Sequence, residues 1–145
     1  MTGATGGQDV VTLARGWIGT PYRHQASIKG VGCDCLGLVR GVWREAVGRE
    51  PIAMPAYSAR WRDPEAGIDL LEAAQRFFRP AGASDAPGTL VLFRMLPGHP
   101  PKHCAILTAA DRFVHALEGT GVVEVSLNEW WRCRIAAHFH FPEEG

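Results

Sequence analysis

An excess of charge of either sign is the first thing this sequence lacks. Fifteen basic side chains balance fifteen acidic ones over 145 residues, a formal net charge of +0. No uniform positive field is left to hold a nucleic acid or an anionic membrane by charge alone, and neither is expected as a partner. Long apolar runs are missing too, since none approaches the roughly 20 residues of a membrane-spanning helix. Yet 46% of the residues are hydrophobic, enough for a chain of this length to bury a core. The first ten residues, MTGATGGQDV, carry neither a basic nor an apolar leader segment. The expectation is synthesis in the cytoplasm without a signal peptide. Repeats and low-complexity tails are absent, which leaves one domain over residues 1–145. Cysteine is sparse: four residues, two of them one residue apart, do not form the framework of a small secreted domain and read as reduced thiols.

What is present falls into two halves. Val10, Leu13, Ala14, Trp17 and Ile18 recur at the spacing of one helical face, and GTPY at 19–22 ends that pattern. Residues 23–34 have no periodicity and read as a loop. From Cys35 the set Leu38, Val39, Val42, Trp43 and Ala46 returns to the helical period, with Asp34 as its N-cap. After an irregular, proline-rich stretch over 48–62, Asp63-Pro64 opens a third amphipathic helix through Leu70, Leu71, Ala74, Phe77 and Phe78. The composition then changes to short runs rich in Val, Ile, Phe and Leu, which predict strands near 89–94, 102–108, 112–117, 121–126 and 132–140. Helices followed by strands imply an α+β domain whose N-terminal helices pack on a C-terminal antiparallel β-sheet.

A cysteine in the first turn of a helix lies near N–H groups that have no intrahelical partner, and their partial positive charge favours thiolate. Only Cys35 has that placement. Cys33 falls in the loop, and Cys104 and Cys133 fall in strand-like runs with apolar neighbours, where a thiol packs as a small hydrophobe. A thiol nucleophile also needs a base. In a strand, His103, Ala105 and Leu107 of KHCAILT share one face, while Cys104 and Ile106 share the other. A three-residue hairpin loop at 109–111 sets Thr108 opposite Arg112 and Ala105 opposite His115, so that His103 and His115 share a face as diagonal neighbours. A two- or four-residue loop would turn them to opposite faces. The odd register is the expectation, with His103 exchanging a proton with Cys35 and His115 fixing its tautomer. His24, His99, His138 and His140 have no such partner in the pattern and read as ordinary core or rim residues.

GTPY, CDCLGLV, GTLVLF, KHCAIL and RFVHA, taken in order, resemble the NlpC/P60 family of cysteine peptidases, which share a reduced papain-like fold. The likeness spans nearly the whole chain. The stretch from Gly19 to Glu45 resembles most the cell-wall peptidases encoded with the tail genes of phages and gene transfer agents. The resemblance implies Cys35 as nucleophile, His103 as general base and acid, His115 as the orienting third member, and Tyr22 as an oxyanion donor beside the Cys35 N–H. It also places Asp34 where an acidic residue caps the helix or meets a substrate amine. Its implied substrate is the peptidoglycan stem peptide, cut at the γ-D-glutamyl bond to diaminopimelate, with no cofactor and no metal. Such an enzyme is expected in a phage-like particle or at the cell wall, with tail or gene transfer agent proteins as partners. One departure is Leu36, where many relatives carry serine, and a second is the length of 48–87, which reads as an insertion with an extra helix.

Three alternatives remain open on the sequence. One is a wall-binding tail component of the same fold that does not cut. Another is a metal-binding domain in which His103, Cys104 and His115 join Cys33 or Cys35, although a C-x-C pair is not the usual zinc spacing. The last is an acyl or amide hydrolase of this fold with a different substrate.

Overall fold

The computed structural model describes residues 7–51 and 70–142. Helix α1 (Gly7–Arg15) buries Val10, Val11 and Ala14. It ends earlier than its apolar pattern predicts, because residues 16–19 turn, and Ile18 is left 46% exposed. Trp17 still reaches the core from this turn, and its Nε1 donates to Glu45 at 2.8 Å. Helix α2 (Cys35–Ala46) starts at the cysteine as expected and buries nine of its twelve residues. Two glycines one turn apart allow its close packing. A Cβ on Gly41 would run into the Trp17 ring, and one on Gly37 into the Ala26 carbonyl oxygen. The predicted loop contains a short antiparallel pair, β1 (Ser27–Ile28) and β2 (Gly32–Cys33). The predicted start of the third helix at Asp63-Pro64 lies outside the described residues. Its described part is α3 (Leu70–Phe77).

Among the described residues the sheet has six strands where five were expected. These are β3 (Arg79–Pro80), β4 (Leu90–Phe93), β5 (His103–Ala109), β6 (Arg112–Leu117), β7 (Gly121–Ser126) and β8 (Ile135–His140). They run in the order β3-β8-β4-β5-β6-β7, every pair antiparallel. The added strand β3 lies at an edge, where a proline costs no ladder bond. The last predicted strand starts later than its sequence suggests. Residues Glu129–Arg132 form a short helix, α4, capped by the Asn128 side chain, so Cys133 is an exposed helix-end residue and not a strand residue.

Alternation along the strands divides the apolar side chains between two faces. Leu90, Leu92, Cys104, Ile106, Val114 and Ala116 lie in one core with residues of α1 and α2. Val91, Phe93, Ala105, Leu107 and Phe113 form a second core with Leu127, packed against Trp131 of α4. The α+β class therefore stands, with a strap on the face that helices leave bare. The β5–β6 hairpin reaches its predicted register by a different route. Ile106 is opposite Val114 and Leu107 opposite Phe113, as the odd register requires, but Ala109 is opposite Arg112 across a two-residue turn. Thr108 is bulged out, and this extra residue restores the parity that a two-residue turn alone would invert.

Candidate active site

The start of α2 is held from within. Asp34 is fully buried, and its Oδ1 accepts from the Gly37 N–H at 2.7 Å as the N-cap. Its Oδ2 accepts from the Gln25 N–H at 2.8 Å and lies 3.8 Å from Nδ1 of His24. Gln25 has φ +66, a left-handed conformation that a non-glycine residue adopts at some cost, and the Asp34 bond holds it there. The Ser27 hydroxyl donates to the Gly37 carbonyl at 2.6 Å, and Arg44 donates to the Ser27 carbonyl at 2.6 Å. The loop and hairpin before the helix thus lock its first turn, of which Cys35 is the first residue. Of the two geometric roles the sequence left to Asp34, this is the cap.

Cys33 sits in β2 and is buried, and burial beside the Asp34 charge pushes its thiol up to about 12. It stays a neutral thiol at physiological pH. Tyr22 is half-buried and bridges Cys33 in parallel, with the Arg23 N–H donating to the Cys33 carbonyl and the Cys33 N–H to the Pro21 carbonyl, both at 3.0 Å. That bridge ties the Tyr22 backbone to a residue two positions before Cys35.

The two predicted imidazoles meet. His103 Nε2 and His115 Nδ1 are 2.9 Å apart, with the ring planes at 83°. Both residues are buried, His103 at 3% and His115 at 1% exposure. Burial, helped by the neighbouring imidazole, lowers the His115 pKa to about 3, so this ring stays neutral. A neutral His115 can accept or donate at Nδ1, and in the tautomer in which it accepts, His103 donates from Nε2 and its Nδ1 is the basic nitrogen. That Nδ1 is buried and has no hydrogen-bond partner. The Cys35 thiol is therefore not hydrogen-bonded to it here, although the first turn of α2 lies against β5, where Cys104 Sγ donates to the Cys35 carbonyl at 3.3 Å. Catalytic hydrogen bonds of this kind commonly tighten only when substrate is present. With Cys35 also fully buried, the structure holds the three groups closed.

Two features escaped the sequence reading. Trp131 stacks on His103 and contacts His115 edge-on, and nothing in the spacing of NEWWRC marks it as a neighbour of KHC. His24 reaches Asp34 from a loop without periodicity. The segment 48–87 contributes Pro51, Leu70, Ala74 and Phe77 to an apolar cleft of about 240 Å³ that also touches Leu36 and Cys104. Among the described residues, no group of three or more His, Cys, Asp or Glu side chains is placed to hold a metal ion.

Comparison with known proteins bears on this geometry. The murein DD-endopeptidase MepS/murein LD-carboxypeptidase of Escherichia coli (strain K12) is 33% identical over 119 residues, which is 81% of this chain and 54% of that one. The chain spans about half the length of the curated relatives it matches. The solved NlpC/p60 domain of the peptidoglycan hydrolase SagA aligns with a TM-score of 0.66 at 25% identity, over 94% of this chain and 99% of that one. NlpC2 from Trichomonas vaginalis gives 0.69 at 16% identity, over 99% of this chain and 49% of that one, a likeness of fold alone. Residues 19–138, from the turn after α1 to the last strand, match the NlpC/P60 family model, and the chain belongs to the NlpC/P60 family.

Proposed function

We propose that this protein is a cysteine-type peptidoglycan hydrolase that cuts amide bonds in stem peptides. The observation that carries the reading is the 2.9 Å His103–His115 contact, which occupies Nε2 of His103 and leaves its buried Nδ1 unpartnered. In the proposed cycle the Cys35 thiol gives its proton to His103 Nδ1, and the thiolate attacks the peptide carbonyl. The Cys35 backbone N–H and the Tyr22 phenol hold the oxyanion. Protonated His103 then gives the proton to the departing amine, leaving a thioester on Cys35. Water, deprotonated by His103, attacks the thioester, and the thiol is regenerated as the acid leaves. Throughout, His115 accepts from His103 Nε2 and stays neutral, so it orients the imidazolium without adding a compensating charge.

The finer assignment is the γ-D-glutamyl bond to diaminopimelate, in a particle of the phage-tail or gene transfer agent type. It is supported by the resemblance of residues 19–45 to that branch. The murein endopeptidase relative and the SagA domain support the substrate class. Peptidoglycan zymography of wild type beside Cys35→Ala tests the activity. Clearing by wild type alone is expected, whereas clearing by both proteins, or by neither, removes the peptidase reading and leaves a wall-binding module of the same fold. Digestion of defined muropeptides, with the products weighed, tests the bond, and co-purification with tail particles tests the partner.

A further inference from the structure

The cycle above uses four side chains and leaves α4 without a role. Among the aromatic rings that touch the imidazoles, Phe93 and Phe113 are themselves fully buried, whereas Trp131 is half-buried. Trp131 is thus the layer between the pair and water. Its ring lies 5.8 Å from that of His103 at 29°, and 5.3 Å from that of His115 at 83°. The imidazole planes themselves stand at 83°, so one indole stacks on the first ring and meets the second edge-on. Phe93 and Phe113 support the same indole from below at 4.8 and 5.1 Å. The second torsion of a histidine is soft, and only packing fixes its ring plane.

We infer that Trp131 is a positioning residue whose indole keeps the His103–His115 pair dry and in one ring arrangement, and that α4 is the strap that seats it. The strap is tied at both ends. At the hairpin tip, the Leu127 N–H donates to the Asp111 carbonyl at 2.7 Å, and Arg132 Nη2 to the Ala110 carbonyl at 3.2 Å. At the other end, the Arg94 N–H donates to the Arg134 carbonyl at 2.7 Å. Between them, Asn128 caps the helix through the Trp131 N–H at 3.1 Å, and the Arg134 guanidinium lies 3.7 Å over the exposed Trp130 ring. These contacts cross the sheet face from the β5–β6 turn to the end of β4 and leave the indole little freedom to turn. The inference rests on the hydrolase reading for its effect on turnover, but its effect on the imidazoles is independent of that reading.

The test compares wild type, Trp131→Phe, Trp131→Ala and Arg132→Ala as full chains. Nitrogen-15 NMR of the histidine rings follows tautomer and titration, and pH-dependent iodoacetamide labelling is read by mass on the Cys35 peptide. In wild type, His115 is expected to stay neutral through pH 5 with its proton on Nε2. In Trp131→Ala, it is expected to titrate between pH 5 and 7 and lose its fixed tautomer, while the Cys35 labelling profile shifts. Trp131→Phe is expected to restore most of the wild-type pattern. Arg132→Ala, an exposed change that cuts the tie of the strap to the Ala110 carbonyl, is expected to move the same signals the same way by less, and it carries the test if Trp131→Ala does not fold. Histidine signals unchanged in folded Trp131→Ala, or in Arg132→Ala where that variant carries the test, overturn the inference. An ordinary thiol profile for wild-type Cys35, with histidine signals that still depend on Trp131, overturns the hydrolase reading and leaves this one standing.

Discussion

The two faces of the sheet are built from different materials and do different work. Under α1 and α2 the core is broad and largely aliphatic, joined by Trp17 and Trp43, and it ends at the buried Cys35. Under α4 the core is small, and it holds a cluster of rings in which two imidazoles lie among Phe93, Phe113 and Trp131. The first face fixes a helix end by close backbone contact and two glycines. The second fixes ring planes by stacking and excludes water from groups whose protonation matters. One half of the proposed chemistry is thereby a problem of backbone placement and the other a problem of solvation.

The comparison can be broken at either face. The largest effect is expected from Cys35→Ala, which should cut hydrolysis of muropeptides by about 10³-fold or more with the melting temperature little changed. On the other face, His115→Ala should lower kcat by about 10²-fold, while His115→Asn, which keeps an oxygen to accept from His103 Nε2, should lose only about tenfold. Equal losses would mean that the position supplies bulk and no acceptor. On the helix face, Gly41→Val should cost about 2–3 kcal/mol in denaturant unfolding, because the new side chain meets the Trp17 ring. A loss within error would show that the glycine is not needed for the packing.

Acid should separate the faces further. Unfolded, an imidazole takes a proton near its ordinary 6.5, whereas folded His115 takes one only near 3. The unfolded chain therefore binds the extra proton between these values. Stability should fall as pH drops from 6.5 towards 3, by less in His115→Asn, as acid melting curves would show. The smallest effect concerns Glu124, which accepts from Arg15, Thr108 and Arg112 and is held down to about 2, chiefly by the Arg15 bond. Glu124→Gln should cost about 1 kcal/mol at neutral pH. That loss should fade as the pH falls from 4.5, where the unfolded chain takes up the proton, to about 2, where folded Glu124 does.

The periodicity of CLGLVRGVW, with an acidic cap before it, made α2 legible because a helix start and its apolar face are local properties. The shared face of His103 and His115 was legible for the same reason, since alternation is local, although the turn that produces it was not. Parity depends on the sum of turn and bulge, and no residue type marks Thr108 as bulged. The final strand is expected from 132 but begins at Ile135, and α4 goes unseen before it because a single helical turn is too short for a period to show. The place of Trp131 on the histidines was out of reach because it is set by a crossing of the whole sheet.

The Asp34 knot bears on the order in which the molecule assembles. Its bonds join residues only three to ten positions apart, Gly37 to Asp34, Gln25 to Asp34, and Ser27 to Gly37. Loops of that span close within about 10–100 ns, long before sheet pairing is complete. The contact that brings the helix start to the sheet spans 69 positions and closes late. A nascent chain can therefore carry a shaped thiol end that has no base to activate it, and the proposed pairing comes into being only once that long-range contact is made.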